Sequence, residues 1–136
     1  MGLDIKFALV SKSLVKSKLQ VKDTALFEGE PDRLRSYVGK MPPDDQCIAV
    51  KEHRGYLEDP IQAIVLELFG FWDKGCGWVL GLDDLFALDK AIKDEVAKDE
   101  EFQRFDFKRT GDYLADLSYL IDVIDDENEC VLFNWC

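Results

Sequence analysis

Leu3, Ile5, Phe7 and Leu9 alternate with Asp4, Lys6 and Ala8, the period-two pattern of a half-buried strand. Val15, Ser17, Leu19 and Val21 alternate with Lys16, Lys18, Gln20 and Lys22, which predicts a second strand with three lysines on its solvent face. Ser11-Lys12-Ser13 then turns the two into a hairpin. Glu30-Pro31-Asp32 reads as the start of a short helix, with proline at the first helical position, and Gly39 with Pro42-Pro43 reads as its stop. Gln46 to His53 predicts another strand, ended by Arg54-Gly55.

Three longer helices follow from the 3.6-residue period. Asp59-Pro60-Ile61-Gln62 combines an N-cap, a proline at N1 and a glutamine three residues after the cap. Ile61, Ile64, Val65, Leu68 and Phe69 then form one apolar stripe, closed by Gly70. Asp73-Lys74-Gly75 supplies turn chemistry, Trp78-Val79-Leu80 a short buried strand, and Gly81 a change of direction. A helix from Leu85 to Lys98 carries Leu85, Leu88, Ile92 and Val96 on one side, with Asp83 or Asp84 at its start. Asp89 with Lys93, and Asp94 with Lys98, are acid-before-base pairs four apart. Phe102 to Phe107 reads as a short strand or an ordered loop. Thr110 caps a last helix running to about Asp125, with Leu114, Leu117, Ile121 and Ile124 on its apolar side, and Cys130 to Trp135 forms a final strand.

Strands interleaved with helices imply one α+β domain over residues 1–136. Its sheet is expected to be mixed or mainly antiparallel, of about four to six strands, with about three helices on one face.

Charge narrows the functional classes. With 17 basic and 28 acidic residues the net charge is −11, so direct binding to nucleic acid is not expected. No apolar run is long enough for a membrane span, Asp4 and Lys6 interrupt the apolar core a signal peptide needs, and Lys6 stands where N-myristoylation wants Ser or Thr. A cytoplasmic location is the expectation. Cys47, Cys76, Cys130 and Cys136 are then expected as free thiols, and Cys136 lacks a prenylation context.

The motifs of common chemistries fail on spacing. Gly75-Cys76-Gly77 with Gly81 has three intervening residues where a dinucleotide fingerprint needs two, and it precedes a strand rather than following one. Gly70 to Gly75 has phosphate-loop spacing, but Cys76-Gly77 occupies the Lys-Ser/Thr positions. No Cys-x-x-Cys or His-x-x-x-His pair offers a zinc site, and Asp125, Glu127 and Glu129 lack the glycine and final glutamate of a calcium loop. No cofactor, metal or catalytic residue is assigned. His53 is the only histidine, so any histidine-based scheme must use it. Cys47 is read on the same strand face, but six residues of about 3.3 Å each put it roughly 20 Å away, too far for a dyad.

The charge is uneven along the chain. Residues 11–22 hold Lys12, Lys16, Lys18 and Lys22 and no acid, whereas residues 110–136 hold Asp112, Asp116, Asp122, Asp125, Asp126, Glu127 and Glu129 and no base. At 100° per residue Asp112, Asp116, Asp122 and Asp126 share an arc of about 120° opposite the apolar stripe of the last helix, with Tyr119 in the same arc. These five residues are the candidate contacts for a basic partner, which such a surface attracts by electrostatic steering.

Met1-Gly2-Leu3-Asp4-Ile5, the central Trp78-Val79-Leu80-Gly81-Leu82-Asp83-Asp84-Leu85 and the closing Leu132-Phe133-Asn134-Trp135 resemble a family of small uncharacterised phage and prophage proteins. Those proteins begin Met-Gly-Leu-Asp-Met-Tyr and end in aromatic residues followed by Ser-Trp. The chain departs from the pattern at Asn134, and its helix from Asp59 to Phe69 lacks the histidine of the family's Ile-His-x-Trp-Phe segment. The resemblance implies a cytosolic phage-type accessory protein and carries no site residues.

The leading expectation is a non-enzymatic acidic binding protein, a phage-type accessory or anti-defence inhibitor that engages a basic, nucleic-acid-binding host protein through the last helix. The alternatives are a small enzyme using carboxylates near His53, and a structural homo-oligomer, for which Phe71 and Trp72 or Phe133 and Trp135 are interface candidates although core packing is the first expectation for them.

Overall fold

In the computed structural model, the described residues are 5–18, 20–21, 36–38, 42–53, 59–69, 77–99 and 104–135. They form six strands, β1 (Ile5–Ser11), β2 (Gln20–Val21), β3 (Ser36–Val38), β4 (Ala49–His53), β5 (Gly77–Leu80) and β6 (Glu129–Trp135). Four helices join them, α1 (Lys12–Lys18), α2 (Asp59–Phe69), α3 (Leu82–Ala97) and α4 (Phe107–Val123). One sheet runs in the order β2-β3-β5-β6-β1-β4, and every neighbouring pair is antiparallel. The α+β expectation of about three helices on one face holds for α2, α3 and α4, α1 lies on the other face, and the sheet is antiparallel throughout.

Side-chain alternation sorts the two faces. Ile5, Phe7 and Leu9 of β1, Trp78 and Leu80 of β5, and Val131 and Phe133 of β6 point to the side covered by α2, α3 and α4. Ile61, Val65, Leu85, Leu88, Ile92, Leu117 and Leu120 close this larger core from above. At its centre Trp78 stacks on Phe133 with ring centroids 5.6 Å apart, and Phe133 meets Phe7 at 4.7 Å. Phe133 is therefore core, which removes it from the oligomer contacts suggested by sequence.

The opposite face is covered as well. Ala8, Val10, Val79, Cys130 and Leu132 pack there against Val15, Leu14 and Cys47. The second strand and hairpin expected over Val15 to Val21 are thus corrected, because residues 12–18 are helix and β1 pairs with β6 and β4 rather than with β2. Ser11 is the physical reason: its hydroxyl accepts from the Leu14 backbone N–H at 3.2 Å and starts a helix where alternating lysines suggest a strand. The expected helix from Glu30 to Gly39 is corrected over Ser36–Val38, which is strand, and its remainder lies outside the described residues.

Cys47 and Cys130 are free thiols. Burial pushes the Cys130 thiol up to about 12, and burial also raises Cys47, with Lys6 pulling it the other way. Only the thiolate reacts with electrophiles, and the half-buried Cys47 is the more accessible of the two. Iodoacetamide at about pH 8 is expected to label Cys47 at least tenfold faster than Cys130, and denaturant should equalise them. Peptide mass mapping over a time course checks this, and equal native rates would show that the second face is open.

Candidate functional site

α4 is positioned by its two ends. The Asp106 side chain caps it by accepting from the Arg109 backbone N–H at 2.9 Å, so the helix begins a turn before the expected Thr110 cap, and Thr110 is buried within it. Phe105 lies in a bend before the helix rather than in a strand. Past the other end, Asp126 Oδ1 accepts from the Leu82 N–H at the start of α3 at 2.9 Å, while the Asp126 carbonyl accepts from Lys12 Nζ at 2.6 Å. Asp84 completes the α3 start by accepting from the Gly81 N–H at 3.0 Å. α3 and α4 are consequently antiparallel neighbours.

The central line of α4's buried side is Tyr113, Leu117 and Leu120, with Leu114, Ile121 and Ile124 only partly buried. The apolar stripe expected from sequence is displaced by about 50° at 100° per residue. That rotation brings the flank bearing Asp116 and Tyr119 down onto β4, the strand at one end of the sheet. His53 pairs with Ile5 and Lys51 with Phe7, so both project to the helix-covered face. There His53 Nε2 is hydrogen-bonded to the Asp116 carboxylate, and the His53 ring meets the edge of Tyr113 with centroids 4.7 Å apart. Both members of the pair are about four-fifths buried, with side-chain exposures of 20% and 18%. Beside them Lys51 Nζ lies 4.3 Å from the centroid of the Tyr119 ring.

The five residues expected to share one acidic face therefore divide. Asp112, Tyr119 and Asp122 are exposed on α4. Asp116 is turned inward to His53, and Asp126 lies in the turn after the helix, where it ties α3 to α1. Asp125 is likewise used internally, accepting from the Glu127 N–H at 3.3 Å and from Asn128 Nδ2 at 2.9 Å. Among the described residues no group of three or more metal-ligating side chains gathers.

Cys47 and His53, read on one strand face, lie on opposite sides of the sheet, because Cys47 precedes β4 and packs with α1. On α3, Asp89 pairs with Lys93 at 2.9 Å as expected. Asp94 takes Lys90 at 2.6 Å instead of Lys98, which turns to Glu95.

Sequence reasoning missed Lys51 and Tyr113. The signal was present as two periodicities, since Lys51 and His53 are two apart on one strand and Tyr113 and Asp116 are three apart on one helix. What was absent was any reason to dock that strand against that helix.

None of the described helices is long and apolar enough to cross a membrane. No protein family, curated protein or solved structure matched the chain on comparison.

Proposed function

We propose that this chain is a non-enzymatic acidic binding protein, a cytoplasmic phage-type accessory or anti-defence inhibitor, whose α4 engages a basic, nucleic-acid-binding host protein. The observation that carries the reading is the charge of the C-terminal segment on a fixed support. Residues 110–136 hold seven acids and no base, and α4 displays Asp112 and Asp122 to solvent with the Tyr119 ring between them in sequence. Ten residues at 1.5 Å each separate the two carboxylates by about 15 Å along the helix. Fixed negative charges at this scale imitate part of a phosphate backbone and attract the surface that binds one.

Pairing Asp116 with His53 and Asp126 with Leu82 and Lys12 supports this reading indirectly. These contacts pin α4 to the sheet and to α3, so the exposed acids are presented by a rigid helix with little ordering cost on binding. They also identify the informative substitutions. Asp112→Lys with Asp122→Lys reverses two exposed charges and leaves the internal contacts intact.

The test immobilises the full chain and captures partners from a host-type lysate, with washes at about 0.05 M and about 0.5 M salt, over which the screening length shrinks severalfold. The expected result is a basic nucleic-acid-binding protein that is lost at high salt, is displaced from the chain by added duplex DNA or RNA, and binds the double reversal at least tenfold more weakly. Capture that ignores both salt and the double reversal would overturn the reading.

A further inference from the structure

We propose that the exposed ring of Tyr119 is the landing site for an arginine of the basic partner, and that Lys51 holds that place in the free protein. The inference rests on the reading above and gives its surface a specific contact. Lys51 reaches from β4 across the flank of α4 and sets its ammonium 4.3 Å from the Tyr119 ring centroid. Among the described residues it joins no ion pair, although α4 carries carboxylates on either side of that ring. The ring itself is what the ammonium has found. It remains 42% exposed, so a second cation can approach it.

The surroundings of the ring favour a guanidinium. Asp122 lies three residues after Tyr119 and Asp116 three residues before, both positions that neighbour it on a helix surface. Asp116 is committed to His53, while Asp122 is exposed. A guanidinium is planar, stacks on an aromatic face and reaches a carboxylate with its edge donors, two interactions a lysine ammonium cannot make together. Val123, 43% exposed one helical turn beyond Tyr119, offers the stem of such a side chain an apolar rest. A second copy of this chain fits the place poorly, because it would bring another net charge of −11 against α4.

Exchange of one cation for another on the same ring has a measurable signature. Removing Lys51 vacates the ring and strengthens arginine binding. Deleting any nearby positive charge also strengthens it, so the Tyr119 background separates the two causes.

The experiment titrates tetra-arginine amide into the full-length protein by calorimetry or amide chemical shifts, using wild type, Lys51→Ala, Tyr119→Ala, the double variant and Tyr119→Phe. Lys51→Ala is expected to bind about two- to fivefold tighter than wild type, the worth of an exposed cation–π contact. In the Tyr119→Ala background that gain should vanish, and Tyr119→Phe, which keeps the ring, should bind like wild type. A Lys51→Ala gain that survives loss of the ring, absence of any gain, or no tetra-arginine binding by any variant overturns the inference. Salt-sensitive peptide binding that falls in the Asp112→Lys/Asp122→Lys protein, with no Lys51–Tyr119 coupling, overturns this contact alone. The acidic-face reading fails only on its own capture test.

Discussion

Gly77→Ala is expected to destabilise the protein by about 3 kcal/mol, the upper end of the usual overpacking cost, because the clash is with backbone that cannot move aside. A Cβ at Gly77 would stand 2.2 Å from the Phe133 carbonyl oxygen, 2.9 Å from Asn134 Cβ and 3.0 Å from Asn134 Cα. The first is a main-chain atom of β6, so relief requires β5 and β6 to part. Next to it in register, Trp78 faces Phe133 and Val79 faces Leu132, all of them buried. Separation there loosens the aromatic stack at the middle of the larger core and the floor of the smaller one together. Gly111→Ala is the control: it lies in α4, nothing lies within 4 Å of its added Cβ, and it should stabilise by up to about 1 kcal/mol through helix propensity. Urea unfolding of both variants beside wild type measures the contrast, and a Gly77→Ala loss below about 1 kcal/mol would mean that the two strands do not approach this closely.

Legibility of the fold in sequence followed how local each cause was. α2 begins at Asp59 and ends at Phe69, as its proline, cap and stripe predict, and β5, α3 and β6 lie where their apolar runs place them. These elements are dictated by residues within one or two turns of each other. α1 was misread because one hydroxyl hydrogen bond from Ser11 outweighs a weak alternation of valine and lysine over a single short segment. β1 was read as half-buried because Ala8 and Val10 give no sign that α1 and Cys47 will cover them. The site was harder still. Asp116 and His53 are 63 residues apart and meet only because Tyr113 and Leu120, rather than Leu114 and Ile121, take the centre of α4's buried side. A helix of this composition has two apolar lines to choose between, and the sheet beneath decides.

Asp99→Ala is expected to cost about 2–4 kcal/mol, since hydrogen bonds to a charged acceptor are the strong ones and one buried and one part-buried donor would be stranded. Asp99 lies just past α3 and is only 8% exposed. Its Oδ2 accepts from the Arg104 N–H at 3.0 Å and from the Phe105 N–H at 2.9 Å. Those two bonds seat Phe105 in the core at 1% exposure, one residue before the Asp106 cap from which α4 starts. The roll of α4 about its axis is therefore fixed at this end by Asp99 and at the other by Asp126. That roll is what sets Asp116 on His53 and Tyr119 under Lys51. Asp99→Asn keeps an oxygen acceptor without its charge and should lose about half as much. If the exposed face works as proposed, Asp99→Ala should also weaken tetra-arginine binding, although Asp99 contributes nothing to the acidic surface itself. Thermal unfolding with amide exchange along α4 would read the first effect, and the tetra-arginine titration the second. Full stability in Asp99→Ala would show that the approach to α4 is held by something other than this carboxylate.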